Sequence, residues 1–573
     1  MSAIIILLVS IVILVIGYIF YGAWLAKQWG IDIKKPTPAH TMEDGNDYVP
    51  AKAPVLLGHH FSSIAGAGPI NGPIQAAVFG WVPVLLWILI GGIFIGGVHD
   101  FGSLFASIRH RGQSVGTIIA ENIGERAKKL FIVFAYLTLL LVVAAFASIV
   151  AGTFDAFPKD ADGNIIEAAA ETNSIAATIS ALFIVISIAF GFTVYRRKAP
   201  IGISTIIGIV GIVAIIVIGI NFPFLAFSKE TWMIIVGIYI LIASVTPVWI
   251  LLQPRDYLSS FLLYGMMIAA VIGVIFANPT MNIEPFYGFG GLGGKSYLFP
   301  VLFITVACGA ISGFHSLVGS GTTAKQLDSE KDAKLIGYGS MLIECALAVV
   351  ALIAVGFLTA KGGAALPEGT PTQIFAKGIA TMIQSVGGEN VYPTVYALII
   401  LSVSAFALTS LDTATRLARY MFQEFFLKKG ETPSTVTGSR KILVNPWVGT
   451  IITVALGILL GYGGYAAIWP LFGASNQLLA GLGLLAIASW LNNIGRNNKM
   501  LYAPMVFMLI ATVSSLGITC WQKVSAVAGG DASTANVLQL VFAVIEVVLA
   551  LIVVWEGIQV LSGKRKISKE EVA

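Results

Sequence analysis

Fifteen mostly apolar stretches follow one another along the chain, most of them about as long as a bilayer is thick: 2–26, 59–77, 81–101, 130–154, 174–195, 200–222, 232–252, 258–278, 299–320, 335–360, 393–414, 447–464, 470–492, 501–521 and 535–561. A helix needs about 20 apolar residues to cross the hydrocarbon core. Lipid cannot satisfy free backbone polar groups, so such a chain folds as a helix bundle. Composition agrees: 57% of the residues are hydrophobic and 11% are charged, against roughly 25% charged in an average soluble domain. A net charge of +5 is too small to suggest nucleic-acid binding. No P-loop is present, which argues against an ATP-driven engine. Cys308, Cys345 and Cys520 lie in apolar runs without metal-ligand spacing and read as packing residues. The first stretch lacks a basic leading region and a small-residue cleavage site, so it reads as a retained helix.

The placement of Lys and Arg orients the bundle, because short cytoplasmic loops hold their excess. Loop 102–129 carries Arg109, Arg111, Arg126, Lys128 and Lys129, whereas 155–173 has one Lys and five acids. The alternation continues through Arg196, Arg197 and Lys198 inside, Arg255 inside against Lys295 outside, and six Lys or Arg in 415–446. It ends on Lys564, Arg565, Lys566 and Lys569 inside. This predicts an all-α polytopic protein of the plasma (inner) membrane with about fifteen spans, its N-terminus outside and its C-terminus in the cytoplasm. It also requires the polar stretch 59–77 to cross.

That stretch contains Ser62, Ser63, Ala65, Gly66, Gly68, Pro69, Asn71, Gly72 and Pro73. Breakers at membrane depth survive only where they are buried or line a cavity, and in transporters paired broken helices mark the substrate site. A second set of breakers, Thr246, Pro247, Trp249 and Gln253, lies five spans later and runs the opposite way. The pairing suggests two inverted five-span repeats, 59–222 and 223–414, the arrangement of the LeuT-type fold. An N-terminal helix and linker (1–58) precede them, and a cytoplasmic loop with four peripheral helices (415–573) follows. Ser62, Ser63, Ala65, Gly66, Gly68, Pro69, Asn71, Gly72, Thr246, Trp249 and Gln253 are the candidate substrate contacts. The helix restarting at Gly68 suits a substrate carboxylate.

Ionisable residues inside spans are costly and mark function. His59, His60, His99, Asp100 and His315 all fall on the cytoplasmic half by the charge pattern. Two chemistries fit: a proton relay, or ligation of a divalent metal such as zinc. The coupling candidates are His99, Asp100, Asp256, His315, Ser316, Ser320, Thr323 and Asp412, with a proton as the coupling ion and Na+ as the alternative. Asp412 also suits pairing with Arg416 one turn on. Glu344 and Glu546 have no partner visible in the sequence, and Asn476 and Gln477 suggest bonds between helices.

The run His59-His60-Phe61-Ser62-Ser63-Ile64-Ala65-Gly66-Ala67-Gly68-Pro69-Ile70 with Gly72-Pro73-Ile74 resembles the signature of the carbon starvation protein A family. So do Gly97-Val98-His99-Asp100-Phe101, Leu252-Gln253-Pro254-Arg255-Asp256-Tyr257, Gly309-Ala310-Ile311-Ser312-Gly313-Phe314-His315-Ser316, Ser320-Gly321-Thr322-Thr323 and Trp469-Pro470-Leu471-Phe472-Gly473. The resemblance implies bacterial inner-membrane uptake of peptides or pyruvate, proton-coupled, on a LeuT-like core. A carrier of a small-molecule substrate, not an enzyme, is therefore expected. The rivals are a channel, or a metal-dependent transporter or membrane enzyme built on the His/Asp cluster.

Overall fold

The computed structural model describes residues 2–564 apart from 46, 160–162, 295, 429–430, 432–434 and 532. Lys295, Arg565, Lys566 and Lys569 therefore lie outside the described residues. Among the described residues helices make the whole architecture, joined by a few isolated bridges. In chain order the major ones are α1 (Ala3–Trp29), α2 (Ala53–Ala65), α3 (Gly68–Ala76), α4 (Trp81–Arg109), α5 (Glu125–Phe154), α6 (Glu167–Gly191), α7 (Ile201–Asn221), α8 (Lys229–Val245) and α9 (Leu252–Ala277). They continue as α10 (Leu298–Thr305), α11 (Gly313–Gly321), α12 (Ser340–Leu358), α13 (Pro371–Gly387), α14 (Tyr392–Phe426), α15 (Pro446–Gly461), α16 (Tyr465–Asn493), α17 (Lys499–Ala528) and α18 (Thr534–Leu561).

Eleven helices among the described residues are long and apolar enough to cross a membrane. The remaining four predicted stretches are broken or short. Stretch 59–77 is split between α2 and α3, and 299–320 between α10 and α11. Stretches 232–252 and 447–464 form helices of 17 and 16 residues. The core lies around α16, whose apolar window is wholly buried. At the periphery α7 leaves Ile203, Ile206, Ile207 and Val210 exposed, as a lipid-facing surface would.

Each break has a local cause. Pro69 and Pro73 cannot donate backbone hydrogen bonds, and Gly66 adopts φ +27°, a conformation that favours glycine. The second break, 306–312, runs Val-Ala-Cys-Gly-Ala-Ile-Ser, small residues that let two backbones approach. The two breaks face each other. A Cβ on Gly68 would lie 2.4 Å from Cys308 Sγ, and one on Gly72 would lie 2.7 Å from the Thr305 carbonyl.

The break at 59–77 was paired with 244–254, where Thr246–Leu251 separates α8 from α9. The interruption that meets Gly68 is 306–312, inside a stretch read as continuous. Segment 361–392, which lies between two of the apolar stretches, contains α13. Its start is a capping box formed by Thr370 and Gln373, and Ile374, Phe375, Ile379 and Met382 are buried.

Candidate functional site

The residue before the break and the start of α9 build one buried polar network. α2 carries His59, whose Nδ1 lies 2.8 Å from Asp256 Oδ2. Ser63 Oγ donates to the same oxygen at 3.4 Å and sits 3.3 Å from Thr413 Oγ1. Ser62 Oγ donates to the Asp256 carbonyl at 3.1 Å. Arg255 donates to Asp256 Oδ1 at 2.8 Å, to Tyr239 Oη at 2.6 Å, and to Asp412 Oδ2. Tyr239 also donates to Asp412 Oδ2 at 2.7 Å. Gln253 donates to Gln326, which in turn approaches His59 Nε2 at 3.4 Å. The network thus holds two carboxylates, one guanidinium and one imidazole away from water.

A second network ties α4 to α11. Asp100 receives His99 Nδ1 at 2.8 Å on one oxygen and His315 Nδ1 at 2.7 Å on the other. His315 Nε2 faces Glu344 of α12 at 3.5 Å. His60 turns away from both, its Nδ1 2.8 Å from Thr323 Oγ1.

The structure separates several predicted partners. His59, His60, His99, Asp100 and His315 do not converge on one point. No three ligand atoms of this set lie close enough together to share one ion among the described residues. Among the described residues, the one trio that brings ligand atoms together is Cys308, His315 and Glu344. Ser316 and Ser320 spend their hydroxyls on carbonyls of their own helix, Gly313 and Ser316 respectively. Thr246 bonds the Ile242 carbonyl and Trp249 packs on Phe192, so neither reaches the first break. Gln253 and Asp256 do approach it, through His59 and Ser62. Ala65, Gly66 and Gly68 form the break itself, and Pro69, Asn71 and Gly72 lie in α3. Asp412 pairs with Arg255 instead of Arg416, which donates to the carbonyls of Ala243 and Thr246.

Arg255, Tyr239, Thr413 and Gln326 were missed. Arg255 was counted as a loop charge, yet it is 1% exposed. The signal was its place beside Asp256 within a long apolar run, where an intramembrane charge demands a partner. Asn476 bonds between helices as expected. It accepts the Phe314 N–H at 2.8 Å and donates to Ser312 Oγ at 3.0 Å, so α16 caps α11 and steadies the second break. Glu546 of α18 accepts from Ser475 of α16 at 2.5 Å.

One side of this centre is open and the other is strapped. A cavity of about 200 Å³ runs from the exposed Gly152, Thr370 and Gln373 to the buried Ser148 and Asn71, one turn beyond the break. Lys229 lies on its wall. At the other side the linker after α1 crosses the ends of α11 and α14. Asp47 accepts from Tyr420 Oη at 2.7 Å and from Arg416 at 3.4 Å. Lys325 stacks over Tyr420 and Tyr48, at 4.5 and 5.3 Å. Burial alone would raise the Asp47 pKa, but Lys325, Arg416, the Tyr420 hydrogen bond and Arg419 together hold it below the usual carboxylate value. A depressed carboxyl stabilises the fold above its unfolded pKa, and that stability is lost as pH falls through the folded value. The strap is therefore intact at neutral pH. Asp47→Ala is expected to cost about 1–3 kcal/mol, because the buried Arg416 loses a partner. Limited trypsinolysis after Lys34 should be faster in the variant.

Interrupted helices around a buried charge network, in a chain of many apolar spans, define a multi-pass membrane transporter. The chain belongs to a particular family of them: the model described as carbon starvation protein CstA matches residues 2–368 and 360–515. The peptide transporter CstA of Bacillus subtilis is 32% identical, the match covering 97% of this chain and 96% of that one. The peptide transporter CstA of Campylobacter jejuni is 35% identical, over 89% and 79%. The pyruvate/proton symporter BtsT of Escherichia coli is 32% identical, over 90% and 81%. Among solved structures, a manganese transporter of Eremococcus coleocola is similar at a TM-score of 0.49 and 12% identity, over 91% of this chain and 99% of that one.

Proposed function

We propose that this chain is a secondary active transporter importing short peptides or small carboxylates such as pyruvate across the bacterial inner membrane together with protons. The observation that carries this reading is the meeting of the two breaks beside the Arg255 network, with a cavity reaching Asn71 just beyond the first of them. That combination suits alternating access; a channel would need a continuous polar path.

With the orientation given by Lys and Arg, the cavity faces outward and the linker closes the cytoplasmic side. Lys229 on the cavity wall favours an anionic group, and the substrate carboxylate meets the start of α3. A peptide and pyruvate share that carboxylate. The coupling site is the His59–Asp256–Arg255–Asp412 group. Two carboxylates against one guanidinium leave one negative charge, which a single proton neutralises. A buried group of this kind favours neutrality. Proton coupling is preferred to Na+ because the network is built of titratable groups, two carboxylates and an imidazole, that can take up a proton directly.

The facing breaks favour a different inverted repeat from the one read in the sequence. In the first repeat the broken pair α2/α3 is followed by α4, which carries a π turn at Gly92–Gly96, and by the long α5. In the second, broken α10/α11 is followed by a π turn at Lys334–Gly339 leading into α12, and then by the long α14. The domains become α2–α7 and α10–α16, with α8 and α9 between them.

A ligand screen by thermal unfolding of the purified protein tests the substrate class. Di- and tripeptides or pyruvate at about 100 times Kd should stabilise the protein by roughly 2.7 kcal/mol, while uncharged amides of the same size should not. No stabilisation by any carboxylate, with no counterflow in vesicles, would overturn the reading.

A further inference from the structure

Three side chains with no part in the proposed proton network converge where the second break meets α12. Cys308 stands in the unwound segment, His315 in the first turn of α11 and Glu344 in α12, all buried. One ligand atom from each lies within 4.8 Å of the other two. His315 Nε2 and both Glu344 carboxylate oxygens make no hydrogen bond, although the two groups face each other at 3.5 Å. Buried polar atoms seldom go unsatisfied in this way.

The histidine is prepared as a ligand. Its Nδ1 is held by Asp100, itself held by His99. An ionised Asp100 keeps the proton on Nδ1 and leaves a lone pair on Nε2 directed at Glu344. A lone pair facing a carboxylate is repulsive unless a proton or a cation lies between them. A carboxylate fixing one ring nitrogen while the other binds is the usual support of metal-bound histidine. Asn476 Nδ2 lies 3.9 Å from Cys308 Sγ and can donate to a thiolate.

We propose that Cys308, His315 and Glu344 bind one divalent transition-metal ion, zinc by its chemistry. With bonds of ordinary length, a tetrahedral zinc site has ligand-to-ligand edges of about 3.3–3.8 Å. The His315–Glu344 separation already has that length, and the thiol needs a shift of at most about 1 Å. The mixed sulfur, nitrogen and oxygen set selects zinc, or cobalt as its surrogate, over magnesium and calcium. Thiolate, carboxylate, neutral imidazole and the dication sum to zero charge, which suits an interior away from water. Binding releases the Cys308 proton, and any proton on Glu344, to solvent. The ion joins the break segment to α12 and leaves a fourth position for water or a carboxylate. The proposal is independent of the proton-coupling reading, since neither Asp256 nor Asp412 is a ligand.

The test uses the full chain, purified without chelators or a metal-affinity column. Elemental analysis should find about one zinc per chain, falling to roughly a tenth or less in Glu344→Gln and Cys308→Ser. Cobalt added to zinc-stripped protein should give a near-ultraviolet thiolate-to-cobalt band, absent in Cys308→Ser and retained in Cys520→Ser. A wild-type protein that takes up neither zinc nor cobalt overturns the proposal even if the variants fail to fold. So does a cobalt band that persists in Cys308→Ser.

Discussion

Arg255→Met is expected to lower stability by about 3–5 kcal/mol, the cost of breaking a buried ion pair by removing one partner. Methionine fills much of the space but leaves two buried carboxylates. Asp256 keeps His59 and Ser63, while Asp412 keeps Tyr239 alone. Adding Asp412→Asn to the variant removes one stranded charge and should recover a large part of the loss. The pair of single variants and the double variant form a cycle whose coupling energy reports the interaction. Thermal unfolding in detergent measures all three. An Arg255→Met protein as stable as the wild type would mean that the guanidinium does not balance these carboxylates.

Gly313→Ala should be nearly as damaging. Gly313 opens α11 against α16, and a Cβ there would lie 2.3 Å from the Asn476 carbonyl and 2.4 Å from the Ala480 nitrogen. Both are backbone atoms, so the helices must separate. The separation also strains the hydrogen bond by which Asn476 caps Phe314. Overpacking of this kind costs about 1–3 kcal/mol, and loss of the cap adds about 1 kcal/mol. Transport should fall with it, because the second break loses its support. Gly319→Ala, on the same helix, is the control. Its Cβ would meet Leu104 at 3.7 Å, an ordinary contact, and the change should stay within about 0.5 kcal/mol.

The sequence made the bundle legible because apolar length and helix breakers act locally. The break at Gly66–Pro73 announced itself through two prolines and three glycines. The second break carries no proline. Its small residues, Cys308, Gly309 and Ala310, read equally well as tight helix packing, so its interruption emerges only from the tertiary contact with Gly68. Thr246-Pro247 gave a louder local signal but ends one helix and precedes another. The site was legible in part. His59, Asp256 and Asp412 stood out as charges in apolar runs, whereas Arg255 looked like an ordinary cytoplasmic charge at a span end. Partners that lie far apart in the chain, such as Arg255 with Asp412 or His315 with Glu344, follow no periodicity and were out of reach. The capping box of α13 was readable and was overlooked because the helix is short and amphipathic.

Uptake into proteoliposomes under an imposed pH gradient tests proton-coupled transport most directly. With the outside more acidic, the wild-type protein should accumulate a labelled dipeptide or pyruvate above its external concentration. Asp412→Asn should still exchange substrate by counterflow but lose that accumulation. Accumulation by the wild type that is equal with and without the gradient would contradict proton coupling through the Arg255 network.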